Sequence, residues 1–240
     1  MEELAGKLVV WIRERVDEAR RRGVAFGLSG GVDSSVVAVL CKRAFPDDCL
    51  AVIMPCYSIE SDIQHAMAVA RKFQIPVRNI TLDQAFDSLL RALSDEEYDP
   101  ATKRIAEANL KPRLRMIALY YLANRLDYLV VGTGNRSEIS IGYFTKYGDG
   151  GVDILPLGNL AKSQVRELAI HLGIPDEVIQ KPPSAGLWEG QTDEGEMGLT
   201  YAELDRYLLT GEAREEIRKK VDAMMARSAH KRSTPPIPPF

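Results

Sequence analysis

Val24-Ala25-Phe26-Gly27-Leu28-Ser29-Gly30-Gly31-Val32-Asp33-Ser34-Ser35 is the stretch that decides the fold. A strand buried on both faces reads as a nearly continuous apolar run, and residues 24–28 supply one, interrupted only by Gly27. Gly30 and Gly31 open backbone angles closed to other residues and leave room for a ligand against the chain. Ser34, Val36, Val37, Leu40 and Cys41 then suit a helix packed on a sheet. A strand turning through glycines into a helix gathers free amide N–H groups at one point, with the helix dipole behind them, and such a point attracts anions. Ser29, Ser34 and Ser35 add hydroxyl donors, so the turn is read as a cradle for a nucleotide's phosphates. Asp33 would repel a phosphate unless a cation lay between them. Mg²⁺ is commonly held by one or two carboxylates plus phosphate oxygens; capping the helix is the plainer role open to Asp33.

Outward from this stretch, the chain alternates helix and strand. Leu4, Leu8, Trp11, Ile12, Val16 and Ala19 recur at helical spacing, so a helix is expected over residues 3–22 with Gly23 ending it. Residues 50–55 read as a second buried strand, 58–73 as a helix capped by Ser58 or Ser61, and 76–80 as a short third strand. Helices follow over 83–93 and from Lys111, with Pro112 suited to a first helical position. Residues 127–131 form a fourth strand, and 132–135 lie at its carboxyl end. Residues 94–100, 142–153 and 181–198 read as loops, and helices are marked over 162–172, 175–180, around Leu204 and around Val221. The expected architecture is α/β: a doubly wound, Rossmann-like parallel sheet flanked by helices, one domain over residues 1–240. In such sheets the ligand lies off the carboxyl ends of the strands.

The 240 residues carry 31 basic and 34 acidic side chains, a formal net charge of -3, which gives no electrostatic footprint for nucleic acid or an anionic membrane. No apolar run of about 18 residues marks a membrane span. Cys41, Cys49 and Cys56 are odd in number and form no C-x-x-C, so a reducing, cytoplasmic location is expected.

The loop lacks the Lys of a Walker A motif; S-G-G-x-D-S-S instead resembles the signature of the ATP pyrophosphatase (PP-loop) superfamily, whose fold is adenine nucleotide alpha hydrolase-like. Further segments narrow the resemblance: residues 109–116 (N-L-K-P-R-L-R-M), Val131-Gly132-Thr133, Glu138, and residues 142–153 (G-Y-F-T-K-Y-G-D-G-G-V-D). With residues 156–157, 160–162, 181–184 and 199–201, and His230-Lys231-Arg232, they are similar to NAD synthetase over essentially the whole chain. Pro112 stands where that family more often has Ala, and Ser184 where Thr is common, which keeps the hydroxyl.

What the resemblance implies is a ligase that makes NAD from deamido-NAD, ATP and ammonia. The nicotinate carboxylate attacks the α-phosphorus, pyrophosphate leaves, and ammonia then displaces AMP. By the same resemblance Gly27, Leu28, Ser29, Gly30, Gly31, Val32, Asp33, Ser34, Thr133, Lys162 and Ser184 bind ATP. Asp33 and Glu138 hold Mg²⁺, and Asp33, Glu138 and Lys162 carry the chemistry. Arg113, Lys146, Asp153, His230 and Lys231 contact deamido-NAD. A homodimer is implied, with deamido-NAD near the subunit interface. No glutaminase domain is expected, so ammonia itself is the nitrogen source, from solution or from a separate glutaminase.

Residue chemistry bears on each assignment. Lys162 opens a helix, where the dipole disfavours a cation; an anionic ligand accounts for that, as does a snorkelling surface position. Arg113 and Arg115 are two apart on one helix and cannot share a face, so at most one meets the substrate, and the motif selects Arg113. Glu138 and Asp153 are open between ligand and solvated carboxylate, Thr133 and Ser184 between ligand and turn hydroxyl, and His230-Lys231-Arg232 between ligand and basic helix end. The competing functions are another PP-loop enzyme, such as a tRNA-thiolating or amidotransferase subunit, and a non-catalytic nucleotide-binding module. A thiolating enzyme calls for paired cysteines and a basic surface. A binding module has no need of two carboxylates and a phosphate-facing lysine. Residues 83–110 and 181–198 are expected to order over bound substrates.

Overall fold

Residues 24–27 lie inside a parallel sheet, with a neighbour on either side. In the computed structural model, which describes residues 1–94, 97–99, 104–188 and 190–240, the chain begins with α1 (Glu2–Glu18), β1 (Gly23–Gly27), α2 (Val32–Ala44) and β2 (Cys49–Ile53). It continues through α3 (Glu60–Lys72), β3 (Val77–Asn79), α4 (Asp83–Ser94), α5 (Ile105–Ala108), α6 (Leu110–Leu126), β4 (Tyr128–Val131) and α7 (Arg136–Ile141). It closes with α8 (Lys162–Leu172), α9 (Asp176–Ile179), α10 (Asp193–Met197), α11 (Tyr201–Thr210) and α12 (Glu215–Arg227). Strand order is β3-β2-β1-β4, all parallel, with Phe26 opposite Ala51 on one side and Val131 on the other.

Side chains alternate across a strand, and two cores result. Val24, Phe26, Ala51, Ile53, Leu129 and Val131 pack with Ile12 and Val16 of α1, Val36 and Leu40 of α2, and Val165 and Leu168 of α8. Ala25, Val52 and Val130 turn the other way, onto Phe86 and Leu90 of α4 and Leu119 and Leu122 of α6. Helices on both faces make the sheet doubly wound, as expected. A third cluster, including Ile141, Met197, Tyr201, Leu204, Ile217 and Val221, joins α7 to the C-terminal helices beyond the sheet.

The chain winds outward from β1 to β2 and β3, then returns to place β4 on the other flank of β1. This reversal opens a crevice at the carboxyl ends of β1 and β4, where doubly wound sheets bind ligands.

Several boundaries differ from the sequence reading. α1 stops at Glu18; Arg20 takes a left-handed conformation (φ 53), and Gly23 is the first residue of β1 rather than a helix cap. A Cβ at Gly23 would lie 2.0 Å from the Asp48 carbonyl, so close packing accounts for that glycine. Neither serine caps α3: its N-cap is Ile59, and Ser58 Oγ instead accepts the Cys56 amide at 3.1 Å. Pro112 is the third residue of α6. The loop expected over 181–198 contains α10, and the one expected over 94–100 falls partly outside the described residues.

Candidate active site

The turn after β1 forms the floor of a cavity of about 490 Å³. Gly30 has φ +79, and a Cβ there would sit 2.2 Å from the Asp62 carbonyl of α3, so glycine is required twice over. Gly31 is different: its φ is -88, which any residue adopts, and its bareness leaves space in the cavity it lines. Ser34 Oγ accepts the Ser29 amide at 3.2 Å and lies 3.0 Å from Ser29 Oγ, and Ser35 Oγ donates to the Gly31 carbonyl at 2.8 Å. These bonds hold the turn, while among the described residues no side chain caps α2, so its leading amides remain available to an anion.

Above the turn, three charged side chains from three elements converge. Lys162 Nζ lies 2.5 Å from Asp33 Oδ2 and 3.1 Å from Glu138 Oε1. The lysine side chain is 3 % exposed, so it is no snorkelling surface residue. The two carboxylates explain a cation in a first helical turn. Burial alone would lower the Lys162 pKa, but Asp33 and Glu138 reverse this and raise it. Glu138 is pushed above the usual carboxylate range, chiefly by burial and further by Asp33, against the opposing pull of Lys162. Tyr201 Oη donates to Asp193 at 2.9 Å and approaches Glu138 at 3.2 Å, and Tyr143 Oη reaches Asp193 and Glu196 at 3.1 and 2.5 Å. Burial also raises the Asp193 pKa.

Local sequence sets this geometry. Asn135 is fully buried; its Nδ2 donates to Asp33 Oδ1 at 2.8 Å, and its Oδ1 accepts the Glu138 amide at 3.0 Å. Glu138 Oε2 returns to the Asn135 amide at 3.3 Å, completing a capping box. The Asn-x-x-Glu spacing at 135–138 is the signal for α7, which the sequence reading missed. α8 is anchored from α11. The Lys162 amide donates to Ser137 Oγ at 3.0 Å, and buried Asp205 receives Ser137 Oγ at 2.5 Å and the Ser163 amide at 2.8 Å.

Two carboxylates share the one ammonium of Lys162, which leaves negative charge for a further cation to balance. Among the described residues no group of three or more His, Cys, Asp or Glu converges to hold a metal. Two hard carboxylates beside a phosphate cradle are the donor set Mg²⁺ takes when phosphate oxygens complete its shell, so the residues fit the ion.

Of the other residues singled out, Gly27, Leu28, Ser29, Val32, Ser34, Thr133, Ser184 and Lys231 also line the cavity. Gly30 does not; it supports the turn from behind. Lys231 Nζ donates to the Gly142 and Phe144 carbonyls at 2.8 and 2.7 Å. Arg113, Lys146, Asp153 and His230 lie outside the lining. Lys146 Nζ donates to the His230 carbonyl at 2.7 Å, with Arg113 3.5 Å from the Lys146 carbonyl, so these residues gather on one outer face. Asp153 accepts Tyr120 Oη and the Val130 amide, both at 2.8 Å. Of the two arginines, it is Arg115 that lines the cavity, held by the Met54 carbonyl and Ser58 Oγ at 3.0 and 3.3 Å.

Known proteins resemble this chain over nearly its whole length. A family model described as NAD synthase matches residues 4–235. The NH(3)-dependent NAD(+) synthetase of Carboxydothermus hydrogenoformans is 52% identical, covering 99% of this chain and 97% of the relative. That of Archaeoglobus fulgidus is 45% identical, covering 98% and 96%. Among solved structures, NMN synthetase from Francisella tularensis has a TM-score of 0.93 at 37% identity, covering 100% of this chain and 98% of that one. The NH3-dependent NAD synthetase from Campylobacter jejuni has a TM-score of 0.80 at 28% identity, covering 98% and 97%. A family model over residues 4–235 and relatives 45% and 52% identical over nearly the whole chain agree, and the chain belongs to the NAD synthase family.

Proposed function

We propose that this chain is a C–N ligase that amidates deamido-NAD to NAD with ammonia at the expense of ATP, releasing AMP and pyrophosphate. The observation that carries this reading is the Asp33–Lys162–Glu138 cluster above an uncapped helix N-terminus. The α2 amides and the Ser29 and Ser34 hydroxyls receive the phosphates that become pyrophosphate. Lys162 balances charge as the bond between the α and β phosphates breaks. Asp33 and Glu138 would hold Mg²⁺, which would add neutralising charge for the leaving group. One carboxylate oxygen of the nicotinate forms the new bond to the α-phosphorus. The ammonia nitrogen then adds to the acyl carbon, AMP departs with that oxygen, and the nitrogen loses a proton. Thr133 and Ser184 orient the nucleotide, and Arg113, Lys146, Asp153, His230 and Lys231 receive the dinucleotide acceptor. Ammonia enters as such, whether free or released by a separate glutaminase, and the active form is a homodimer. Among the described residues no helix is long and apolar enough to cross a membrane.

A second acceptor is favoured by one observation, the TM-score of 0.93 to an NMN synthetase. The same two steps applied to the deamido mononucleotide would yield NMN. Incubating the purified chain with ATP, Mg²⁺, ammonium and either acceptor, followed by mass analysis, tests both readings. AMP and NAD from the dinucleotide support the first; AMP and NMN from the mononucleotide alone replace it with the second. ADP, or no turnover with either acceptor, overturns both. Turnover with glutamine matching that with ammonium would contradict ammonia as donor.

A further inference from the structure

Lys111 is 1 % exposed, yet among the described residues it forms no ion pair. A buried ammonium is costly unless other groups replace its hydration. Here the replacement is a box of three rings, with Nζ 5.7 Å from the Tyr57 centroid, 5.8 Å from Phe86 and 4.8 Å from Tyr98. The rings brace one another: Tyr57 and Tyr98 centroids are 4.6 Å apart, and Phe86 meets Tyr98 edge-on at 4.9 Å. Tyr57 is fixed in turn by Asp87, which accepts its hydroxyl at 2.7 Å, and by Asp83, which accepts its amide at 2.8 Å. The box is therefore assembled from the turn after β2, from α4, from residues 97–99 and from α6.

Among the described residues Nζ makes two hydrogen bonds. One closes the box at Tyr98 Oη, 2.9 Å away; the other leaves it, to the Leu187 carbonyl at 2.7 Å. Leu187 belongs to the irregular stretch 181–188, from which Ser184, Leu187 and Trp188 line the cavity. Among the described residues that stretch has other ties: the Trp188 carbonyl accepts the Gln191 amide at 3.4 Å, and Ser184 Oγ accepts the Gly186 amide at 3.1 Å. Lys181 pairs with Asp62 at 2.5 Å, the Leu187 amide donates to Gln191 Oε1 at 2.8 Å, and the Pro183 carbonyl accepts the Asp193 amide at 3.0 Å.

We propose that Lys111 is a positioning residue for the ligase reaction: its boxed ammonium seats the Leu187 carbonyl and so fixes Ser184 and Trp188 against the nucleotide. This rests on the reading of the cavity as the ATP site. Lys111 touches neither substrate nor reacting atoms; it acts through the backbone it grips.

Trp188 reports on this without substrate. The chain has two tryptophans, so a Trp11→Phe background leaves Trp188 as the sole indole for acrylamide quenching. Because a hydrogen bond from a charged donor is lost, Lys111→Met is expected to raise quenching about twofold and KM for ATP about tenfold, with kcat changed less. Lys111→Arg, which restores a cationic donor, is expected to recover most of both. Tyr98→Phe keeps the ring and removes only the hydroxyl, so it serves as the test if Lys111→Met fails to fold, and it should shift quenching the same way by less. Unchanged Trp188 quenching in the folded variants overturns the proposal. Raised quenching in a chain that turns over neither acceptor leaves the grip on Leu187 standing and removes the ligase reading instead.

Discussion

Lys162 is the residue on which the charge balance of the site turns. Truncating one member of a buried charge cluster leaves the others uncompensated, so Lys162→Met is expected to lose about 3 kcal/mol of stability. It should also lower kcat by about a thousandfold, as removal of a charge-stabilising donor does; urea unfolding and steady-state kinetics measure the two losses separately. Glu138 gives a pH signature. Its native pKa is raised, so the folded state binds a proton more tightly than the unfolded chain does. Stability therefore falls as pH climbs from the ordinary glutamate range toward the raised value. In metal-free protein Glu138→Gln lacks this loss, so the stability gap should move in the variant's favour between pH 4 and 8, by about 1 kcal/mol or more. Thermal melts at several pH values read it, and a gap independent of pH would contradict the raised pKa. These three charged residues were legible because each sits in a motif or in a position that offends a simple rule, as a cation does in a first helical turn. Asp193, Tyr143 and Tyr201 were not, since their pairing depends on how α10 and α11 fold back, and an acidic loop sequence carries no such information.

At the scale of elements, the two glycines of the phosphate turn should respond differently. Gly30→Ala forces a left-handed alanine into the Asp62 carbonyl, and about 2–4 kcal/mol of stability should be lost. Gly31→Ala meets no such barrier, so the fold should hold within about 0.5 kcal/mol. Its methyl projects into the cavity, and ATP affinity should fall about tenfold, roughly 1.4 kcal/mol; denaturant melts beside nucleotide titrations distinguish the pair. Asn135→Ala removes a cap and a hydrogen bond to Asp33 together and should cost about 1–2 kcal/mol. β1, β2 and β4 were readable from sequence because burial on both faces demands nearly unbroken apolar runs, whereas β3 lies at the sheet edge with Arg78 and Asn79 exposed. α7 was not read: six residues give too little periodicity to notice, and only its capping box announces it. The 181–198 stretch was read as loop for the same reason, although α10 closes within it around buried Met197.

For the whole molecule, the outer face of α6 is the proposed meeting surface of two copies. Ile117 and Tyr121 are 58% and 59% exposed one turn apart, and nearby Tyr147 is 57% exposed. Replacing Ile117 and Tyr121 by Lys should shift the sedimenting species from twice the 26.7 kDa chain mass to the chain mass itself. A wild-type protein that already sediments as one chain would rule this surface out. The acceptor assignment rests on family resemblance alone, because Arg113, Lys146 and His230 meet through backbone carbonyls that no spacing rule reveals. The order of strands has a consequence in time. Asp33 and Lys162 stand 129 positions apart, so at roughly 5–20 residues per second the ribosome releases the phosphate turn roughly ten seconds before its lysine. For most of that interval β1 keeps one edge bare and the acid in the turn lacks Asn135, and for all of it the ammonium is missing. A growing chain therefore carries the cradle as an inert fold fragment, and its capacity to grip a nucleotide switches on late, when β4 zips against β1 and brings α7 and α8 behind it.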